Sequence, residues 1–421
     1  MSAGLEAWVP TRSQPWDEDA AAHLWRRAGF GATRPQLERA LADTPAAAVS
    51  GLVTGPADDP ACVELESIYP VLLAQANADA LRSWLVARMI RCEHQLREKI
   101  ALFWHGHFAT SIAKVREPVW MSRQYGIFLE RGLGRFAELL AAITRDPAMI
   151  RWLDNETNRK GQPNENFARE LFELFTLGVG HYGEHDVSEA ARAFTGWTVL
   201  ADRFHFSVSS HDAGDKTVLG QTGPWSGDDV LRIALGQAAC AEFLAGKLLR
   251  FFAHPDPPPE LTRALADVLR DSDYDVGRTL EHLLRSRFFF DLRVRRGLVK
   301  SPVEYAVGAI RTLGVRAEPA ELVPALREMG QDLLAPPNVA GWPGHTEWIN
   351  TATWLTRVNT ARGLAERLAH PASGEAGLER HSRALLGREL DARLRTELLR
   401  DEPLAADLAH GLLALPEAHL N

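Results

Sequence analysis

With 421 residues, 46% of them apolar and 24% charged, the chain has an ordinary globular composition and enough length for one large core or two domains. A formal charge of −8 argues against a general binder of nucleic acid or of anionic membranes. No apolar run approaches the ~18 residues that a membrane span needs. The segment MSAGLEAWVPTRSQPWDEDAAAH carries no basic stretch followed by an apolar core, so a cytoplasmic location is expected, with export alongside a partner left open. Cys62, Cys92 and Cys240 are widely spaced and form no CxxC pair, which disfavours a disulfide framework, a zinc ribbon and a haem attachment site.

Helical periodicity dominates from the start. Residues 17–28 read as a short helix, and Thr33 with Pro35 begins a second that runs to Leu41. The stretch 45–75 is rich in Pro, Ala and Asp and reads as an irregular or weakly helical connection. One long amphipathic helix is expected from Asp79 to about Trp104, with Leu81, Trp84, Leu85, Met89, Leu96, Ile100 and Phe103 inward. Further helices are expected at 134–145, 164–177, 186–195, 228–252, 260–270, 275–287, 301–313 and 319–330, and three or four more between 351 and 415. Only Arg203–Val208 alternates as a strand, and Lys216–Leu219 is its expected hairpin partner across the turn 210–215. The predicted fold class is therefore mainly α: a large multi-helix globular fold with one small β-hairpin near 203–220. Residues 1–365 are read as one helical domain, and 366–421 as a helical extension packed on it.

The chemistry concentrates between Leu153 and Trp197. On the 164–177 helix Phe167, Leu171, Leu174 and Phe175 form an apolar face, while Asn166, Arg169, Glu170 and Glu173 share a polar stripe. Phe172 and Leu177 make the helix apolar around much of its circumference, so the stripe must be paired, metal-bound or turned to a cleft. His105 and His107, in Phe103-Trp-His-Gly-His-Phe108, cannot share a face while helical. If Gly106 ends the helix, both imidazoles can converge on one divalent metal, with Glu173 as a further ligand. A water on such a metal would be a hydrolytic nucleophile, with Glu170, Glu173 and Arg169 as the catalytic groups. The alternatives are one core and one exposed histidine, and a buried Arg169–Glu170–Glu173 network locking helices together.

Other polar groups are candidates for binding a substrate or partner. Asp154, Asn155 and Asn158 resemble an oxygen-ligand loop but miss the calcium-loop spacing, so capping and turn formation are the competing reading; Asn164 and Glu165 follow at the helix start. His181 lies beyond the helix, before Asp186, which reads as the N-cap of the next one. His211 and Asp212 sit at the expected hairpin tip. Pro336-Pro-Asn338-Val-Ala-Gly-Trp342-Pro-Gly344, with Trp348 and Asn350, is either an aromatic wall over a pocket for a sugar or peptide, or a core plug. No triad-hydrolase elbow, Walker loop or dinucleotide fingerprint is present.

Eight blocks, in order, carry a resemblance: His23-Leu-Trp-Arg-Arg-Ala-Gly-Phe-Gly31, Lys99-Ile-Ala-Leu-Phe-Trp-His-Gly-His-Phe108, Asp146-Pro-Ala-Met149 with Leu153-Asp-Asn155, Pro163-Asn-Glu-Asn-Phe-Ala-Arg-Glu170, Glu173-Leu-Phe-Thr-Leu-Gly178, Thr195-Gly-Trp197, Lys300-Ser-Pro-Val-Glu304, and Pro336–Gly344 with Trp348-Ile-Asn350. Together they resemble a bacterial family known as domain-of-unknown-function family 1800. The chain departs at His345, where many relatives have another glycine. The resemblance implies a mostly helical fold and no established activity. It also implies a partner, a co-encoded exported protein similar to alkaline phosphatases and sulfatases. Two readings follow: a metal-assisted hydrolytic or oxidative enzyme built on the HxH segment and the carboxylate helix, or a non-catalytic binding or maturation partner. Under the first, His105, His107, Glu170 and Glu173 cluster, with Arg169 and His181 around them.

Overall fold

The computed structural model describes residues 4–369, 371–386, 390–400 and 403–421. The chain folds as a mainly α structure, with two small two-stranded antiparallel sheets among the described residues. No helix is long and apolar enough to cross a membrane among those residues. The helix Gln95–His107 lies at the centre and is buried on nearly every face, as an all-round apolar sequence requires. Trp104, Phe108 and Phe136 stack beside it, with ring centroids 5.5–6.2 Å apart.

The stretch 45–75 is not irregular: it forms two helices, Pro45–Thr54 and Pro60–Gln75. Each has proline in its first turn and an N-cap side chain, Thr44 to the Ala47 amide and Asp59 to the Cys62 amide. Those caps outweigh the weak periodicity that follows. The single long helix expected over 79–104 is two, Ala78–Arg91 and Gln95–His107. Cys92 is extended at the break, and the Gln95 side chain donates from Nε2 to the carbonyls of Cys92 (2.7 Å) and Met89 (3.1 Å), satisfying the end of the first helix. Similarly, 228–252 divides at Gly236-Gln237 into Gly227–Leu235 and Ala238–Phe252. Four helices fill the C-terminal part: Thr351–Ala365, Gly374–Leu386, Ala392–Leu398 and Ala405–Leu413.

The expected strand pairing is corrected. Arg203–Phe206 pairs with Trp197–Leu200, and Lys216–Val218 pairs with Gln221–Gly223. Ala201 and Asp202 both have positive φ, as do Leu219 and Gly220, so each hairpin closes through a two-residue loop of the hand that suits strand twist. Local closure wins over the longer 210–215 connection. Asp186 is likewise not an N-cap: it lies inside the helix Glu184–Ala193, and its carboxylate accepts from the amide of the N-cap, Gly183 (2.9 Å).

Candidate functional site

Gly106 does not end its helix, so the HxH pair stays helical and its imidazoles diverge. His105 Nε2 accepts from the Leu334 amide (2.9 Å) and is therefore unprotonated there. Burial, and then Arg82, pushes its pKa down to about 3. His107 Nε2 donates to the Phe175 carbonyl (3.1 Å), which leaves Nδ1 as a buried acceptor with no partner among the described residues. Burial and the nearby Lys247 hold it well below its ordinary pKa, against the opposing Phe175 bond. Both rings are neutral at physiological pH.

Phe175 belongs to an irregular helix. The 164–177 segment is an α-turn, Asn166–Glu170, followed by a π-helical turn, Leu171–Thr176. The wider turn is supported by Thr176 Oγ1 donating to the Leu171 carbonyl (2.6 Å), and Gly178 at φ +81° follows it. The polar stripe is neither a ligand set nor a buried ion network. Arg169 turns outward and binds Glu184 through two bonds (2.7 and 2.8 Å) and Glu165 at 3.2 Å. Glu173 accepts from the Tyr182 hydroxyl (2.7 Å). Half-buried Glu170 is raised above the usual carboxylate range by burial and then by Glu173. Among the described residues, the one set of three His, Cys, Asp or Glu with ligand atoms mutually within 4.8 Å is Asp59, Cys62 and Cys92. His105, His107 and Glu173 form no such set among the described residues.

The other polar candidates are tied to the scaffold. Buried Asn155 donates to the Trp197 carbonyl (3.1 Å), and buried Asn158 to the Ala191 carbonyl (2.9 Å) and to Asn155 Oδ1 (3.1 Å). Asn158 Oδ1 accepts from the Asn164 amide (3.0 Å), and Asp154 binds Lys114 (2.7 Å). This loop is a clamp on the 184–197 segment. Asp212 pairs with Arg192 (2.8 Å), whose hydrogen bond draws its pKa down to about 2, and His211 Nδ1 donates to the Thr195 carbonyl (2.9 Å). Both belong to the packing of that region rather than to a hairpin tip. His181 is exposed, and exposed Asn338 closes its own turn on the Ala340 amide (2.9 Å).

The site lies instead where the Pro/Trp loop meets the central helix. Gly341, at φ +93°, sits so close to Gly106 that a β-carbon on it would lie 2.4 Å from the Gly106 carbonyl oxygen. Gly106 is therefore a docking point for the loop, which lays Trp342 over the helix with its ring 4.8 Å from that of His105, edge to face. Beside this junction opens a cavity of about 370 Å³. Phe103 and His107 form one side, Trp342, His345 and Trp348 another, and Lys247, Arg250 and Phe251 a third. Ser301 and Glu304 also line it.

The charges around the cavity are uneven. Ser301 and Glu304 form a capping box at the start of the helix Pro302–Leu313, with the Ser301 amide 2.7 Å from Glu304 Oε2. Largely buried Glu304 also pairs with fully buried Lys99 and accepts from the Asn421 side chain (2.9 Å). Burial opposes its charge, but Lys99 holds it below the usual range. Next to it, burial and Arg26 push Lys300 down to about 7, with its amine donating to the Ala418 carbonyl (2.7 Å). Glu304 is thus neutralised. Lys247 has no acidic partner among the described residues; its ammonium lies 5.2 Å from the Phe243 ring centroid. Burial, and then Arg250, lowers it to about 8. The cavity offers aromatic walls, an unpaired amine, a guanidinium and a neutral imidazole.

Of the residues expected from sequence, the structure brings His107, Trp342 and Trp348 to this cavity. Lys247, Arg250, Phe251, Ser301, Glu304 and His345 join them without having been expected there. One signal existed for Lys247: it is a lone cation in the apolar run Phe243-Leu-Ala-Gly-Lys-Leu-Leu. Lys300–Glu304 stood out only as a shared block. Three of the eight blocks, at 99–108, 300–304 and 336–350, meet at this one aromatic, cation-bearing cavity, and a helical protein with such a cavity is the class that fold and site define. The family described as "Protein of unknown function (DUF1800)" matches residues 23–417, and the chain belongs to that family. No curated protein and no solved structure matches it.

Proposed function

We propose that the protein binds a small organic anion with a flat aromatic or sugar-like face in the cavity between the central helix and the Pro/Trp loop. The observation that carries this reading is the half-buried, acid-free Lys247 at an aromatic pocket whose one carboxylate, Glu304, is already paired with Lys99. An unpaired cation in an apolar setting is costly unless a ligand compensates it, and such groups collect at binding sites. Trp342 and Phe251 supply faces for a ring, and Arg250 a second cation beside Lys247. The reading is one of binding: Nε2 of His107 is held by the Phe175 carbonyl and its Nδ1 is buried, so the ring is not placed to take a proton from a ligand. Isothermal titration with para-nitrophenyl phosphate and para-nitrophenyl glucuronide, with the neutral glucoside as control, tests it. Both anions should bind and the glucoside should not, and Lys247→Met should weaken the anions about tenfold or more. Equal affinity for the glucoside, or unchanged anion binding in Lys247→Met, would refute the reading.

A further inference from the structure

A second cluster lies away from that cavity. Asp59 is the N-cap of the helix Pro60–Gln75, Cys62 is the third residue of that helix, and Cys92 ends the helix Ala78–Arg91. The break in the expected long helix is what turns Cys92 back toward the start of the helix Pro60–Gln75. One carboxylate oxygen of Asp59 and the two sulfurs lie mutually within 4.8 Å, with both cysteines buried and Asp59 half-buried. The Asp59 carboxylate is oriented from both sides by backbone: Oδ1 accepts from the Cys62 amide (3.1 Å) and Oδ2 from the Glu93 amide (2.7 Å). Arg88 donates to Cys62 Sγ (3.2 Å) while Glu98 (2.8 Å) and Glu66 (3.2 Å) fix its guanidinium.

We infer that Asp59, Cys62 and Cys92 form a binding site for a thiophilic divalent cation of the zinc type. Two soft sulfurs and one oxygen are a donor set that zinc accepts, and three protein ligands leave the fourth tetrahedral position to water. With zinc–sulfur bonds of about 2.3 Å, tetrahedral ligand atoms stand roughly 3.8 Å apart, so the cluster closes on the ion by an ångström or less. Arg88 supplies the outer hydrogen bond that stabilises a coordinated thiolate, and Glu98 and Glu66 hold it in place. Binding releases the two thiol protons to solvent as two metal–sulfur bonds form, and no electron is transferred. Asp59 also lines a surface cavity of about 490 Å³, which gives the ion a route in. The site ties the helix Pro60–Gln75 to the break before the central helix, so its role is to fix that junction.

The test uses the full-length protein, reduced, stripped with chelator and titrated with cobalt(II), whose thiolate complexes absorb by sulfur-to-metal charge transfer. The expected result is that band saturating at one equivalent, being displaced by zinc, and surviving in Cys240→Ser, which removes the remaining cysteine. Cys62→Ser combined with Cys92→Ser should abolish it, and Asp59→Asn should weaken cobalt about tenfold or more. Absence of the band in the wild type, or its persistence in the double variant, overturns the proposal. Because the wild-type titration needs no substitution, failure of a variant to fold does not protect the idea. A Cys62–Cys92 disulfide formed by dissolved oxygen once the reductant is removed, in preference to metal uptake, would also overturn it.

Discussion

Gly341 rests directly on Gly106, with room for no side chain between the loop backbone and the Gly106 carbonyl. That junction lays the tryptophan loop on the central helix and defines one wall of the candidate cavity. Gly341→Ala adds a β-carbon 2.4 Å from that oxygen and demands φ +93° of an L-residue. It should destabilise by about 1–3 kcal/mol and weaken anion binding. Gly106→Ala is the control. Its β-carbon meets only Trp342, at 3.8 Å, so the helix should tolerate or gain from it, by about 0.4–1 kcal/mol. Thermal melts of the two variants check the contrast; equal losses would contradict it.

Glu304 is the hub of a buried polar knot: Lys99, the Ser301 amide and Asn421 all bind it. Glu304→Gln leaves the Lys99 ammonium buried without a counter-charge and should cost about 3–5 kcal/mol. The double replacement Lys99→Met with Glu304→Leu removes both charges and should cost much less than either single variant, because burying ions already offsets most of their attraction. Chemical denaturation of the three proteins measures this, and additive losses would show that the pair is not coupled.

The surface pair formed by Arg169 carries the opposite expectation. Its side chain is 33% exposed and that of its partner Glu184 is 78% exposed. Arg169→Ala should therefore change stability by less than about 1 kcal/mol, despite the stripe's buried look in sequence. A loss of several kcal/mol would mean that the residue is more enclosed than its geometry shows.

The lysines set a pH dependence. Lys247 falls to about 8 and Lys300 to about 7, against an ordinary value of 10.5. Both folded pKa values are depressed, so between roughly pH 7 and 10.5 the unfolded chain holds more protons and stability rises with pH. The penalty of burying these amines is complete below the folded values and gone above the unfolded one. Anion affinity should run the other way, constant below about pH 7 and falling once Lys247 loses its proton above about 8. Lys247→Met should flatten the affinity profile while leaving the Lys300 part of the stability profile. An affinity that rises with pH would contradict the role given to Lys247.

Much of the fold was legible because apolar periodicity and caps act locally. Pro35 and the Ser301–Glu304 box fall where helices begin. The misread boundaries are those set by tertiary partners. Gly106 has the composition of a stop and serves as a landing place for Gly341, and Gln95 ends a helix through its side chain rather than through a glycine. Of the site, Trp342 and Trp348 were legible as more than spacer. The HxH and Glu-rich patterns misled because His-x-His spacing says nothing about backbone partners, and the Leu334 amide and Phe175 carbonyl lie far off in sequence. Cys62 and Cys92 escaped for the same reason: no short motif links positions 30 apart.

A crystal structure of the full chain with para-nitrophenyl phosphate tests the central claim most directly. The account predicts the aromatic ring between Trp342 and Phe251 and the phosphate within hydrogen-bonding distance of Lys247 Nζ. Binding in solution, with the ligand ordered at another surface and this cavity unchanged, would contradict it.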